Sequence, residues 1–217
     1  MLKNKFKIDC ITEKLRTRGV QVDIRILQAT DDDLLRYRSV PITFDVRTML
    51  EPEWAENGFG GLLLREKQVI PSYVKNYDAE SAPLYPATAP HRENFHDWAA
   101  FVAECGDQLV GGAVVVLNTV YHHSMDARKD VAVVEDIRVH PDYRRQNIGT
   151  GLFGQTVAWA RDRECRRLMV ETQNVNVPAC RFYVSQGCRL GAINLYGYAG
   201  GSALEENEIM LTWYLDL

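Results

Sequence analysis

Residues 131–152 read VAVVEDIRVHPDYRRQNIGTGL. The apolar, β-branched run at 131–139 has the composition of a strand. His140-Pro141-Asp142-Tyr143 ends it, because proline punctuates regular structure. A basic turn follows, and then a helix over 149–163 with Phe153, Val157 and Ala160 at i, i+4 and i+7 on its inward face. The first N–H groups of a helix have no internal acceptor, and the helix dipole favours negative charge there. Strand, turn and helix start together make a site for a phosphate or pyrophosphate. Its candidate residues are Arg144, Arg145, Gln146, Asn147, Ile148, Gly149 and Thr150. Arginine suits phosphate oxygens by geometry and charge. The competing reading is an ordinary strand-to-helix turn with a solvated basic rim.

The rest of the chain limits what such a site serves. At 217 residues the length allows one well-buried domain, or at most two. Hydrophobic residues make up 46% and charged residues 25%, as in ordinary globular proteins. A formal net charge of -4 argues against nucleic acid as the main partner and mildly suits a cationic one. Cys10, Cys105, Cys165, Cys180 and Cys188 form no C-x-x-C pair, a pattern of reducing compartments rather than of a disulfide framework. The first residues lack the apolar core of a signal peptide, and no apolar run reaches membrane-spanning length. A cytoplasmic protein without a membrane partner is expected. No convergent ligand set for a metal stands out. Asp31-Asp32-Asp33 after Thr30 reads as a capped helix start. Adjacent His122 and His123 on an extended chain point apart.

Residues 1–20 read as an extension or short helix of uncertain role, with Gly19 near its end, and residues 21–217 as one domain. Val22, Ile24 and Ile26 alternate in a first strand at 22–28. Residues 40–96 hold six of the eight prolines and read as loops, where substrate choice is often made. Residues 101–105 and 108–118 form a hairpin about Gly106-Asp107. Residues 167–172 form a further strand. Asn176 caps a helix with Pro178 in its first turn, and Gly187 stops it. Two last strands cover 188–196 and 208–215, joined by a loop around 198–207.

Tyr143-Arg144-Arg145-Gln146-Asn147-Ile148-Gly149-Thr150-Gly151-Leu152 resembles the acetyl-CoA-binding motif of the GNAT acetyltransferases. In one register Arg144 leads, Asn147 stands at the first glycine and Gly149 at the second. A shifted register through Gln146, Gly149 and Gly151 also satisfies the motif. Asn147 departs from glycine, but asparagine is the non-glycine residue that best tolerates positive φ. Asn176-x-x-Ala179-x-x-Phe182-Tyr183, then Gly187, resembles the family's second block, one helix and one strand downstream. The resemblance covers about residues 22–215. It implies an α/β fold with a mixed, mostly antiparallel central sheet, splayed between two parallel strands and with helices on both faces. The cofactor would lie between the strands ending at Val139 and Thr172. Residues 171–188 (ETQNVNVPACRFYVSQGC), 41–46 (PITFDV) and 73–78 (YVKNYD) are similar to the streptothricin acetyltransferase branch, whose substrates are cationic aminoacyl antibiotics acetylated on a β-lysine amine.

The resemblance implies acetyl-CoA as acetyl donor, no metal, a small-molecule amine as acceptor, and admits a homodimer. It implies that the backbone of Ile137, Arg138 and Val139 meets the pantetheine arm, with Asn176 and Ala179 also at the cofactor. A backbone N–H there can polarise the thioester carbonyl. Tyr183 is the expected acid: at a reference pKa of about 10 a tyrosine stays protonated and can donate to a leaving thiolate. Glu135 is the expected base or ammonium anchor. Asp136 competes with it, because without a bulge only one of two successive strand residues reaches a given side. Cys180 is expected to be a small apolar residue. Two other readings stay open: a GNAT enzyme for another amine (a polyamine, an aminoglycoside or a protein N-terminus), and a non-catalytic acyl-CoA sensor, which Asn147 in place of glycine keeps alive.

Overall fold

Strand β7 (Val131–Val139) and helix α3 (Ile148–Asp162) stand where the opening segment predicts them. The computed structural model describes residues 11–17, 20–80, 97–117, 128–199 and 208–217. The first ten residues, the prolines at 83, 86 and 90, the His122-His123 pair and the connection at 200–207 lie outside the described residues. The chain divides into two compact units. One comprises Met1–Ile42, Ala82–Leu168 and Leu217; the other comprises Thr43–Ser81 and Met169–Asp216.

The first unit is built on strands in the order β1-β2-β5-β6-β7, each neighbouring pair antiparallel. They are β1 (Ile11–Thr17), β2 (Val20–Gln28), β5 (Asp97–Cys105), β6 (Gln108–Leu117) and β7. The 1–20 extension thus contains, at Ile11–Thr17, a strand paired with β2 rather than a short helix. Ile24 and Ile26 point inward as the alternation predicts. The β5–β6 hairpin turns through Gly106 at φ 59°. Every residue of β6 from Leu109 to Leu117 is buried, which explains its nearly unbroken apolar sequence.

Helix α3 packs against β5, β6 and β7. Leu152, Phe153, Thr156, Trp159 and Ala160 form its buried side, while Val157 is only half-buried, so the inward face is rotated from the expected stripe. On β6, a Cβ at Gly111 would press on Ile148 and Leu152 of α3. A Cβ at Gly112, on the opposite face, would overlap the ring of Tyr37. Tyr37 follows α1 (Asp31–Arg36), which Thr30 starts with a capping box: its hydroxyl accepts from the Asp33 amide at 3.2 Å, and the Asp33 carboxylate accepts from the Thr30 amide at 2.9 Å.

The second unit carries strands in the order β8-β10-β9 and a separate two-stranded ribbon. The strands are β8 (Arg167–Gln173), β9 (Arg189–Asn194) and β10 (Met210–Asp216). The ribbon corrects the expectation of loops over 40–96. Thr43–Ala55 (β3) and Gly61–Asn76 (β4) pair antiparallel along nearly their whole length. Each has an open edge, where proline is tolerated, so Pro52 pairs opposite Leu64. Pro71 sits where the register jumps from Val46–Tyr73 to Thr48–Gln68, an irregularity that needs fewer ladder donors. The short α2 (Tyr77–Glu80) follows β4, and α4 (Val177–Ser185) follows β8. Between them Asn174, fully buried, ties β3 to the approach to β10. Its side chain donates to Leu50 O at 2.8 Å and accepts from Ile209 N at 2.9 Å. Its backbone accepts from Leu50 N and donates to Ile209 O, both at 2.9 Å.

Candidate active site

In the first unit, β7 carries the carboxylates and the turn after it carries the amides. The ladder with β6 skips one residue: Val114 pairs with Asp136 and Val115 with Val134. Glu135 is the extra residue of a bulge, so strict alternation does not apply at the Glu135-Asp136 pair. Asp136 is held in the framework. It accepts from Tyr37 Oη at 2.8 Å and from Arg138 at 2.9 and 2.5 Å. Arg138 also donates to Val40 O at 3.1 Å, and its guanidinium lies 5.0 Å from the centre of the Tyr37 ring. Burial, and then the Asp136 charge, hold the Tyr37 hydroxyl well above the ordinary tyrosine pKa, so it remains the donor. Glu135 is half-buried.

The backbone of β7 sorts the three residues expected at the pantetheine arm. His140 N donates to Val110 O at 2.8 Å, which fixes the phase of the ladder. Arg138, opposite Gly112, therefore exchanges its backbone bonds with β6, whereas Ile137 and Val139 direct theirs to the other side. Arg138 thus serves the framework by both side chain and backbone.

The turn has the backbone an anion needs. Arg145 and Asn147 both have positive φ, 61° and 60°. Asn147 takes the left-handed conformation expected of it, with ψ 3°, and is the residue before α3. A left-handed residue followed by a right-handed one turns successive N–H groups into one concavity that suits anions. The first helical bond runs from Gly151 N to Asn147 O at 2.9 Å, so the amides of Ile148 and Gly149 precede any acceptor within the helix. Arg144 Nε donates to Val139 O at 3.0 Å, laying its side chain along the end of β7. Arg144, Arg145 and Thr150 are exposed, and Gln146 and Gly149 half-buried. The donor set fits a diphosphate.

In the second unit, Asn176 caps α4 as expected, accepting from Ala179 N at 3.2 Å, with Pro178 in the first turn. Gly187 stops the helix at φ 88°. Tyr183 is buried on this helix, edge-on to Phe182 with ring centres 5.4 Å apart. Cys180 is buried too, and burial pushes its thiol up to about 12, the behaviour of an inert packing residue.

Sequence reasoning missed a polar group in this unit. Lys75 and Glu208 form a fully buried ion pair with both oxygens at 2.6 Å. Tyr198 Oη donates to Glu171 at 2.6 Å, Tyr77 Oη donates to Gln173, and Asn176 Nδ2 reaches Tyr77 Oη at 3.4 Å. Lys75, Tyr77 and Glu171 lie inside the segments similar to streptothricin acetyltransferases, which was the one signal available for them.

A model of the acetyltransferase (GNAT) family matches residues 70–188, more than half of the chain. Streptothricin acetyltransferase A of Bacillus subtilis (strain 168) is 37% identical over 83 residues, 38% of this chain, and the match spans 47% of that relative. Streptothricin acetyltransferase of Escherichia coli is 28% identical over 171 residues, 79% of this chain and 84% of that protein. A Bacillus anthracis str. Ames protein assigned as a streptothricin acetyltransferase, solved in complex with acetyl coenzyme A, superposes with a TM-score of 0.70 at 26% identity, covering 89% of this chain and 98% of that one. The mixed, mostly antiparallel α/β fold, the anion turn at the start of α3 and the matched segment agree: this chain belongs to the acetyltransferase (GNAT) family.

Proposed function

We propose that the chain transfers the acetyl group of acetyl-CoA to a primary amine of a small cationic substrate, with the β-lysine amine of streptothricin as the leading acceptor and antibiotic resistance as the outcome. The left-handed turn at Arg145 and Asn147, opening onto the start of α3, carries the reading. The similarity to streptothricin acetyltransferases supports the acceptor. Residues 21–217 act as one domain in this proposal, since the family model spans parts of both units.

Acetyl-CoA, when bound, supplies the acyl thioester. The chain's own groups do the rest. Amides and side chains of residues 144–150 hold the diphosphate through charge-assisted hydrogen bonds. Ile137 and Val139 offer backbone groups to the pantetheine arm, and one of their N–H groups polarises the carbonyl. Asn176 and Ala179, at the start of α4, complete the cofactor contacts. Glu135 receives the amine's proton, directly or through water. A substrate ammonium has a pKa of about 10.4, so this proton must leave before attack. Tyr183 donates to the departing thiolate. Holding both reactants in line supplies much of the acceleration.

The non-catalytic reading rested on Asn147 in place of glycine, and the left-handed backbone there removes that ground. The test is a screen of the purified protein with acetyl-CoA against streptothricin, polyamines, aminoglycosides and N-terminal peptides, read as thiol release and product mass. Acetylated streptothricin is expected. Turnover of another amine in preference would reassign the acceptor, and tight coenzyme A binding with no turnover on any amine would favour a sensor.

A further inference from the structure

Glu171 and Gln173 alternate along β8 and so share one face. Each receives a tyrosine hydroxyl, Tyr198 on Glu171 and Tyr77 on Gln173. Asn176 joins Tyr77 to the N-cap of α4, the helix that carries Tyr183. All of these residues lie in the second unit.

The charges of this group do not cancel. Lys75 has its Nζ 5.4 Å from the Tyr77 ring centre and is paired with Glu208 through both carboxylate oxygens. Among the described residues Glu171 has no cationic partner: its contact is the Tyr198 hydroxyl, on Oε1. Burial, and then the charge of Glu171, push the Tyr198 hydroxyl well above the ordinary tyrosine value. Tyr198 therefore stays a neutral donor, and one negative charge remains among Lys75, Glu208 and Glu171. A half-buried carboxylate whose recorded contact is a neutral tyrosine hydroxyl attracts an ammonium by charge.

Resting on the acetyltransferase reading above, we propose that Glu171, held by the Tyr198 hydroxyl and one pleat from the Tyr77–Gln173 pair, seats a second, non-reacting ammonium group of the acceptor and so selects substrates with at least two amines. The held group is the non-reacting one, since a carboxylate beside an ammonium stabilises its charged form. Glu171 is thus a specificity residue.

Calorimetry on the full chain tests this, with coenzyme A affinity as the control for folding. Glu171→Gln is expected to weaken streptothricin binding at least tenfold, leave coenzyme A binding within twofold, and raise KM for streptothricin far more than it lowers kcat. Glu171→Asp should recover part of the loss. Unchanged streptothricin binding in Glu171→Gln overturns the proposal. A second measurement needs no variant: the wild-type protein should bind cadaverine at least fivefold more tightly than n-pentylamine, which lacks the second amine, and equal affinities overturn the seat. Wild-type binding of streptothricin without acetylation would defeat the functional reading and leave the seat standing. Acetylation with no dependence on Glu171 would do the reverse.

Discussion

Tyr37 donates a 2.8 Å hydrogen bond to Asp136, 99 positions along the chain, and this contact separates the two adjacent carboxylates of β7. Asp136 is bound into a buried pair with Arg138 beneath the Tyr37 ring, and Glu135 occupies the bulge. Removing one member of such a pair leaves an uncompensated buried charge, at a cost of about 3–5 kcal/mol. Asp136→Asn should therefore lower stability by an amount of that order. Urea unfolding measures it. A change under about 0.5 kcal/mol, the range of ordinary surface substitutions, would show that the pair is not structural.

Glu135→Gln and Tyr183→Phe should behave differently. Loss of a general base or acid costs about 10²–10⁴-fold in rate. Each variant is expected to lose turnover on that scale while keeping its urea midpoint and its coenzyme A affinity. The kcat/KM-against-pH profile separates them: the basic limb should change in Tyr183→Phe and the acidic limb in Glu135→Gln. A Glu135→Gln enzyme with full kcat/KM would remove Glu135 as base and as anchor. Full turnover across pH in Tyr183→Phe would remove Tyr183 as acid.

Asn147 tests the turn. At φ 60° a glycine fits at least as well, whereas left-handed backbone costs an ordinary L-residue roughly 1–2 kcal/mol. Asn147→Gly should keep coenzyme A affinity within about threefold. Asn147→Val should weaken it by about tenfold, the equivalent of about 1.4 kcal/mol. Equal affinity in the two variants would mean that the turn's conformation does not shape the anion site.

Asp33 gives a pH dependence. Burial acts to raise its pKa, but the backbone and hydroxyl bonds from Thr30 and the Arg36 guanidinium outweigh it, and the net shift is downward. A carboxyl with a lowered folded-state pKa adds stability above its unfolded value of about 3.9 and loses it as pH falls through the folded value. Asp33→Asn should be less stable than wild type at pH 7, by about 1 kcal/mol as for a lost cap. The gap should close as pH falls below about 4. Urea midpoints from pH 7 to pH 3 read this directly, and a gap that widens toward acid would reverse the assignment.

Much of the fold was legible because its signals are local. The strand at 131–139, the cap at Thr30, the Asn176–Gly187 helix punctuation and the tolerance of Asn147 for positive φ each depend on a few neighbouring residues. The ribbon at 43–76 was hidden because its prolines read as breakers, and only the open edges of a two-stranded pairing make them acceptable. The partners Lys75 and Glu208 stand 133 positions apart, and nothing in either local sequence points to the other.

Taken alone, the sequence determined the strand at 131–139, the caps at Thr30 and Asn176, the turn that opens α3 and the family, since periodicity, capping and motif spacing act over a few residues. Tertiary structure alone decided which carboxylate of the Glu135-Asp136 pair is structural, why Arg138 faces inward, and that Glu171 meets the Tyr198 hydroxyl. Those outcomes depend on register and on which distant side chains meet, and the energies of such contacts exist only once the strands have paired.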